Sequence, residues 1–172
     1  MTIIDIDKET YRRKTNLVMV CFVGFLAVLS LLFGSILIAL FGSQSVTESG
    51  STGNFHLNMT GVILAVITCA FMVSKIKNHS YFNEIMYVWR LKQIHNRIYR
   101  KIAQINAKAE RNDHDSLLIL AFYYSTQKQV FNLDNNTLTI TDVQKNITRV
   151  YEQATKVNLS LNLEDFDVRL LD

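Results

Sequence analysis

Between Lys14 and Glu48, and again between Glu48 and Lys75, the chain carries no charged side chain. Elsewhere charges are frequent, making up 19% of the 172 residues, so two such gaps limit what the chain can fold into. The first gap contains residues 17–41, which at about 1.5 Å per residue can cross a hydrocarbon core of about 30 Å with some tilt. A cleaved signal peptide is the competing reading, since Arg12, Arg13 and Lys14 resemble its basic start. The apolar stretch exceeds an h-region of about 7–15 residues, and Ala39-Leu40-Phe41 offers no small residue before a cleavage point. The second gap contains the shorter run 57–74, with the strongly apolar core Gly61-Val62-Ile63-Leu64-Ala65-Val66-Ile67.

Positive charge orients the pair. Lys8, Arg12, Arg13 and Lys14 precede the first run, Lys75 and Lys77 follow the second, and the connection between them has neither Lys nor Arg. The positive-inside bias places both termini in the cytoplasm. The expected fold is an all-α membrane protein: a two-helix transmembrane hairpin plus a small helical cytoplasmic domain, with room for a short strand pair near the C-terminus. Its parts are a cytoplasmic N-terminal segment (1–16), transmembrane helix 1 (17–41), an external loop (42–56), transmembrane helix 2 (57–74) and the cytoplasmic domain (75–172). The chain has no proline, against average usage of about 5%, which favours long helices with brief connections.

Small residues indicate how the two spans meet. Gly61, Ala65 and Cys69 recur every four residues, and Ala27, Ser30 and Gly34 recur at three- and four-residue spacing. In lipid such stripes let backbones approach closely. The two are expected to face one another within a chain; dimerisation through one of them is the alternative. The only polar groups at membrane depth are hydroxyls, which usually bond their own helix backbone, so a transport pathway is not indicated. Both cysteines, Cys21 and Cys69, lie in the apolar runs and read as packing residues.

Past the second span, Tyr81, Phe82, Tyr87 and Trp89 fit either the membrane–water boundary or the soluble core. A long amphipathic helix follows to Ala109, with Leu91, Ile94, Ile98, Ile102 and Ile105 on one face and Arg90, Lys92, Arg97, Arg100, Lys101 and Lys108 around the other sides. Residues 75–111 carry a net charge of +7, and residues 112–172 a net of −4. Three readings compete for Trp89, Arg90, Lys92, Arg97, Arg100 and Lys101: a solvated face paired with the acidic remainder, contact with anionic membrane lipid, or nucleic-acid binding. The tether makes lipid more accessible than nucleic acid, which is the unlikely partner.

Residues 112–115 supply capping side chains for a helix over 116–131 that buries Leu117, Leu120, Ala121, Tyr124 and Phe131. Residues 133–137 form a turn, and Thr141-Asp142-Val143-Gln144 fits a capping box before the stripe Val143, Ile147, Val150, Ala154, Val157. Leu159, Leu161 and Leu163 alternate with polar residues, predicting a short strand beside 138–140; a short helix from Leu163 is the alternative. The four histidines stand at no ligand spacing, and all six glycines lie between Gly24 and Gly61, so no phosphate-binding glycine loop exists. No catalytic, cofactor-binding or metal residues are expected.

Across nearly its full length the chain resembles a family of small two-span bacterial inner-membrane proteins catalogued only as a domain of unknown function. The resemblance is carried by Asp5-Ile6-Asp7-Lys8-Glu9-Thr10-Tyr11-Arg12, by Asn54-Phe55-His56-Leu57-Asn58 with Gly61, by Trp89-Arg90-Leu91-Lys92-Gln93 with Asn96-Arg97-Ile98-Tyr99-Arg100-Lys101, and by Leu133-Asp134-Asn135-Asn136-Thr137. It implies a bacterial inner membrane and supplies no activity. The expectation is therefore a non-enzymatic inner-membrane interaction or adaptor protein that presents its helical domain to a protein partner, a second copy or anionic lipid. The alternative is a subunit of an oligomeric transport or pore assembly.

Overall fold

Hydrophobic spacings of three and four residues, unbroken by proline, become five α-helices in the computed structural model, which describes residues 3–43 and 53–172. They are α1 (Lys8–Phe41), α2 (Phe55–Ile76), α3 (Asn83–Ala109), α4 (His114–Leu133) and α5 (Ile140–Lys156), joined by short 3₁₀ turns at Ser80–Phe82, Leu163–Asp165 and Val168–Leu171. Most of the expected external loop lies outside the described residues. The chain divides into two compact units: one is Arg13–Asn83, the other combines Met1–Arg12 with Glu84–Asp172.

In the unit Arg13–Asn83, α1 and α2 are each long and apolar enough to cross a membrane, and their most apolar windows are only 6% and 17% buried. Val20, Leu31, Phe41 and Phe55 are each at least 70% exposed. At their far ends the two helices are bracketed by Asn54, whose amide donates to Ser43 O and accepts from Ser43 N, both at 3.0 Å.

In the other unit α4 is the central helix. Residues 116–124 are buried without interruption, so α4 has no solvent face over that stretch rather than the one-sided burial its sequence spacing implied. Its surroundings explain this. Thr126 bonds to His95 on α3, α5 packs along α4, and Phe166 stacks on Phe122 with ring centroids 3.7 Å apart. Gln129 donates to Ile4 O at 2.6 Å.

That last bond belongs to an arm that the sequence reading left as a separate segment. Ile3 and Ile6 pack on the core and Tyr11 is only 5% exposed. The Tyr87 hydroxyl accepts from Ile4 N at 3.1 Å, and Lys8 Nζ reaches Asn135 Oδ1 at 3.0 Å. Asp7 accepts from Thr10 N at 2.8 Å, starting α1.

Two further expectations are corrected. No strand forms among the described residues: Leu159, Leu161 and Leu163 lie half-buried against helices, which offer no ladder of free backbone groups, and Leu138 in the intended partner is 91% exposed. The alternation instead becomes an extended arm ending in the 3₁₀ turn Leu163–Asp165. The capping box at Thr141 is also absent, because α5 begins earlier, after Thr139, which makes no side-chain cap. Asp113 does cap α4, accepting from Ser116 N at 3.0 Å and from its hydroxyl at 2.6 Å. Those two bonds hold the Asp113 carboxyl below its ordinary pKa.

Helices α3, α4 and α5 all end the same way. Asn112, Asn135 and Asn158 take left-handed φ values of 62°, 61° and 57°. The next residue then donates five positions back: Asp113 N to Lys108 O, Asn136 N to Phe131 O and Leu159 N to Ala154 O. These are Schellman closures with asparagine where glycine is usual.

Candidate interaction surfaces

The first surface is the seam between α1 and α2. Gly61, Ala65 and Cys69 are the buried residues of α2, and Gly34 is buried on α1. A Cβ on Gly61 would lie 2.6 Å from Gly34 N and 2.8 Å from Gly34 Cα, so the two backbones touch directly. A Cβ on Gly34 would lie 2.9 Å from Asn58 Oδ1. Ser30 is half-buried, with its hydroxyl donating to Leu26 O at 2.7 Å. Ala27 is exposed, so it does not belong to the seam. The packed row on α1 holds a four-residue interval through Leu26, Ser30, Gly34 and Ile38, matching the interval on α2, whereas Ala27 is reached by a three-residue step that turns away. Thr60 and Thr68 donate to the carbonyls of His56 and Leu64, at 2.8 and 2.9 Å.

The second surface is the outward face of α3. Leu91, Ile94, Ile98 and Ile105 turn inward with Tyr87 and Val88, while Trp89 stands 54% exposed. The basic residues divide into two groups. Lys92 pairs with Asp134 at 2.7 Å, Arg97 with Asp172 at 2.8 Å, and Lys101 donates to Leu171 O. Arg90 and Arg100 are exposed and form no ion pair among the described residues. The acidic C-terminal part thus pairs with some of the basic helix. Such exposed pairs are worth about 0–1 kcal/mol each.

A third arrangement had no signal in the sequence. His95 Nε2 lies 2.8 Å from Thr126 Oγ1, and the fully buried Thr126 hydroxyl donates to Phe122 O at 2.7 Å. With that proton committed to the backbone, the hydroxyl accepts from His95 Nε2–H. Burial first and Lys92 second lower His95 to about 4, so the ring is neutral near pH 7. A histidine beside a hydroxyl invites a nucleophile–base reading, yet this hydroxyl is closed to solvent and faces the wrong way. The pair ties α3 to α4.

Nothing else gathers chemistry. No group of three or more His, Cys, Asp or Glu that could hold a metal occurs among the described residues. A shallow depression of about 540 Å³ along α5 is lined by Lys128, Gln144, Lys145 and Arg149. Lys128 is bonded to Gln144 and Lys145 to Asp142.

The model of one protein family, described as a protein of unknown function, matches residues 1–171. No curated protein and no solved structure matches the chain.

Proposed function

Because the chain belongs to that family, DUF3087, membership brings no activity with it, and we propose from the residues that this is a non-enzymatic interaction protein anchored in a bacterial inner membrane. One observation carries the reading: α1 and α2 leave nearly all of their apolar side chains uncovered. Each large aliphatic or aromatic side chain kept in water forgoes about 1.5–3 kcal/mol. A dozen of them on one hairpin require another apolar medium, and a bilayer supplies it.

The topology has two independent supports. Residues 3–12 pack into the same unit as residues 84–172, so the chain between them leaves and re-enters one compartment and crosses any membrane an even number of times. The basic flanks make that compartment the cytoplasm. A pore or carrier subunit is the weaker reading, because the hydroxyls of Ser30, Thr60 and Thr68 are spent on their own helix backbones. The helical unit, held at the cytoplasmic surface, then serves as the docking element for a protein partner or lipid.

The test is extraction followed by native mass. The protein should resist alkaline carbonate, and protease should cut its C-terminal unit in inverted vesicles but not in intact spheroplasts. Release by carbonate would overturn the anchor. After gentle extraction, a mass exceeding the chain by a second protein supports the adaptor role. A whole multiple of one chain points to self-assembly.

A further inference from the structure

The outward face of α3 departs from an ordinary solvated helix in where its aromatic side chains stand. Trp89, Gln93, Asn96, Arg100 and Ala103 form one exposed row at alternating four- and three-residue steps. Arg90 and Arg97 lie along one side of it, and Tyr99, 68% exposed, along the other. Residues 89–104 include five Arg or Lys and no acid. Arg90 and Arg100 are the two whose charge no carboxylate of the described chain takes up.

We infer that this α3 face docks on anionic phospholipid headgroups, with Arg90 and Arg100 on phosphate and the Trp89 ring at the interface. The inference rests on the reading that α2 spans the membrane. Guanidinium groups match phosphate oxygens in a two-pronged geometry, and an exposed indole has an apolar body and a polar tip suited to the headgroup layer. The chain supplies proximity: α3 starts at Asn83, seven residues after α2 ends at Ile76. At about 3.3–3.6 Å per residue, that link keeps the start of α3 within about 25 Å of the surface where α2 emerges. Nucleic acid would fit the same charges and stacking rings, but it has no such tether and meets the net −4 of residues 112–172.

Trp89 is the only tryptophan, so its fluorescence reports this face alone. The full-length protein is reconstituted in vesicles of phosphatidylcholine alone, or mixed with phosphatidylglycerol, each containing a lipid spin-labelled near the headgroup. Quenching of Trp89 should appear with the anionic mixture and fade at high salt. Each basic side chain near such a surface shifts the balance about fivefold, so Arg90→Gln with Arg100→Gln should lower the docked-to-free ratio about 25-fold. Both residues are exposed, and an unchanged helical melt would show that the double variant still folds. Equal quenching in both lipids overturns the inference, since charge would not be responsible. No quenching in either, with the protein still carbonate-resistant, also overturns it and leaves the anchor intact. Release from the vesicles by carbonate overturns the anchor and this inference together.

Discussion

Protonating His95 would place a charge in a site that holds it neutral at about 4. The unfolded chain takes up that proton near pH 6.5, and the folded chain refuses it until about pH 4. The stability involved is complete above pH 6.5 and declines as pH falls towards 4, by about 3 kcal/mol in all. Denaturation curves across that window should show the decline in the wild type and a flatter profile in His95→Gln. Identical slopes would mean that other groups set the acid sensitivity. The glycines give a matched pair. Gly61→Ala drives a methyl into the backbone of Gly34, whereas a Cβ on Gly24 meets nothing within 4 Å. Overpacking typically costs 1–3 kcal/mol, so Gly61→Ala should lower thermal stability in detergent by about 2 kcal/mol and Gly24→Ala by almost nothing. These residues were not equally legible in the sequence. Gly61, Ala65 and Cys69 announce a seam through size and interval alone. Ala27 misleads because a three-residue step also lies within a helical face. The His95–Thr126 bond was invisible because its partners sit on different helices and only packing brings them together.

Each of the helix ends in the unit of α3, α4 and α5 uses a side chain where a smaller residue would serve. Glycine adopts left-handed φ freely, while other L-residues resist it by roughly 1–2 kcal/mol, asparagine least among them. Asn135→Ala should therefore cost about 1 kcal/mol and Asn135→Gly little or nothing, read from denaturation midpoints. Asn135 also accepts from Lys8, so Lys8→Met serves as the control for that bond. Equal losses from the alanine and glycine variants would show that backbone strain is not the issue. The turn at 133–137 was readable because Asp and Asn favour such bends. The start of α5 was not, since Thr139 and Thr141 offer equally plausible starts and only backbone geometry chooses between them. The alternating leucines of the C-terminal arm read as a strand because period two describes any extended segment. A neighbouring strand makes a sheet, and here the neighbours are helices.

At the scale of the whole chain, the gaps between charges were enough to mark α1 and α2, because nothing else in a sequence produces such long apolar runs. The arm at residues 3–12 was not legible. Three apolar residues, Ile3, Ile6 and Tyr11, make no periodic pattern over so short a stretch, and their partners lie more than seventy residues away. Tyr11→Ala should cost about 3 kcal/mol by opening a core cavity, and it should raise protease sensitivity in residues 84–172 as well as in the arm. A loss confined to the arm would show that it rests on the unit without helping to close it. The discontinuous unit has a consequence for how the protein is made. Its first piece leaves the ribosome before either apolar helix, and its remainder only after both. At about 5–20 residues per second, the arm waits several seconds for its partner. If only one of the two helices enters the bilayer, the arm and the rest of the unit are stranded in different compartments and cannot close. Mis-inserted chains would then expose an incomplete core to proteases, so a folded C-terminal unit doubles as a receipt for correct insertion.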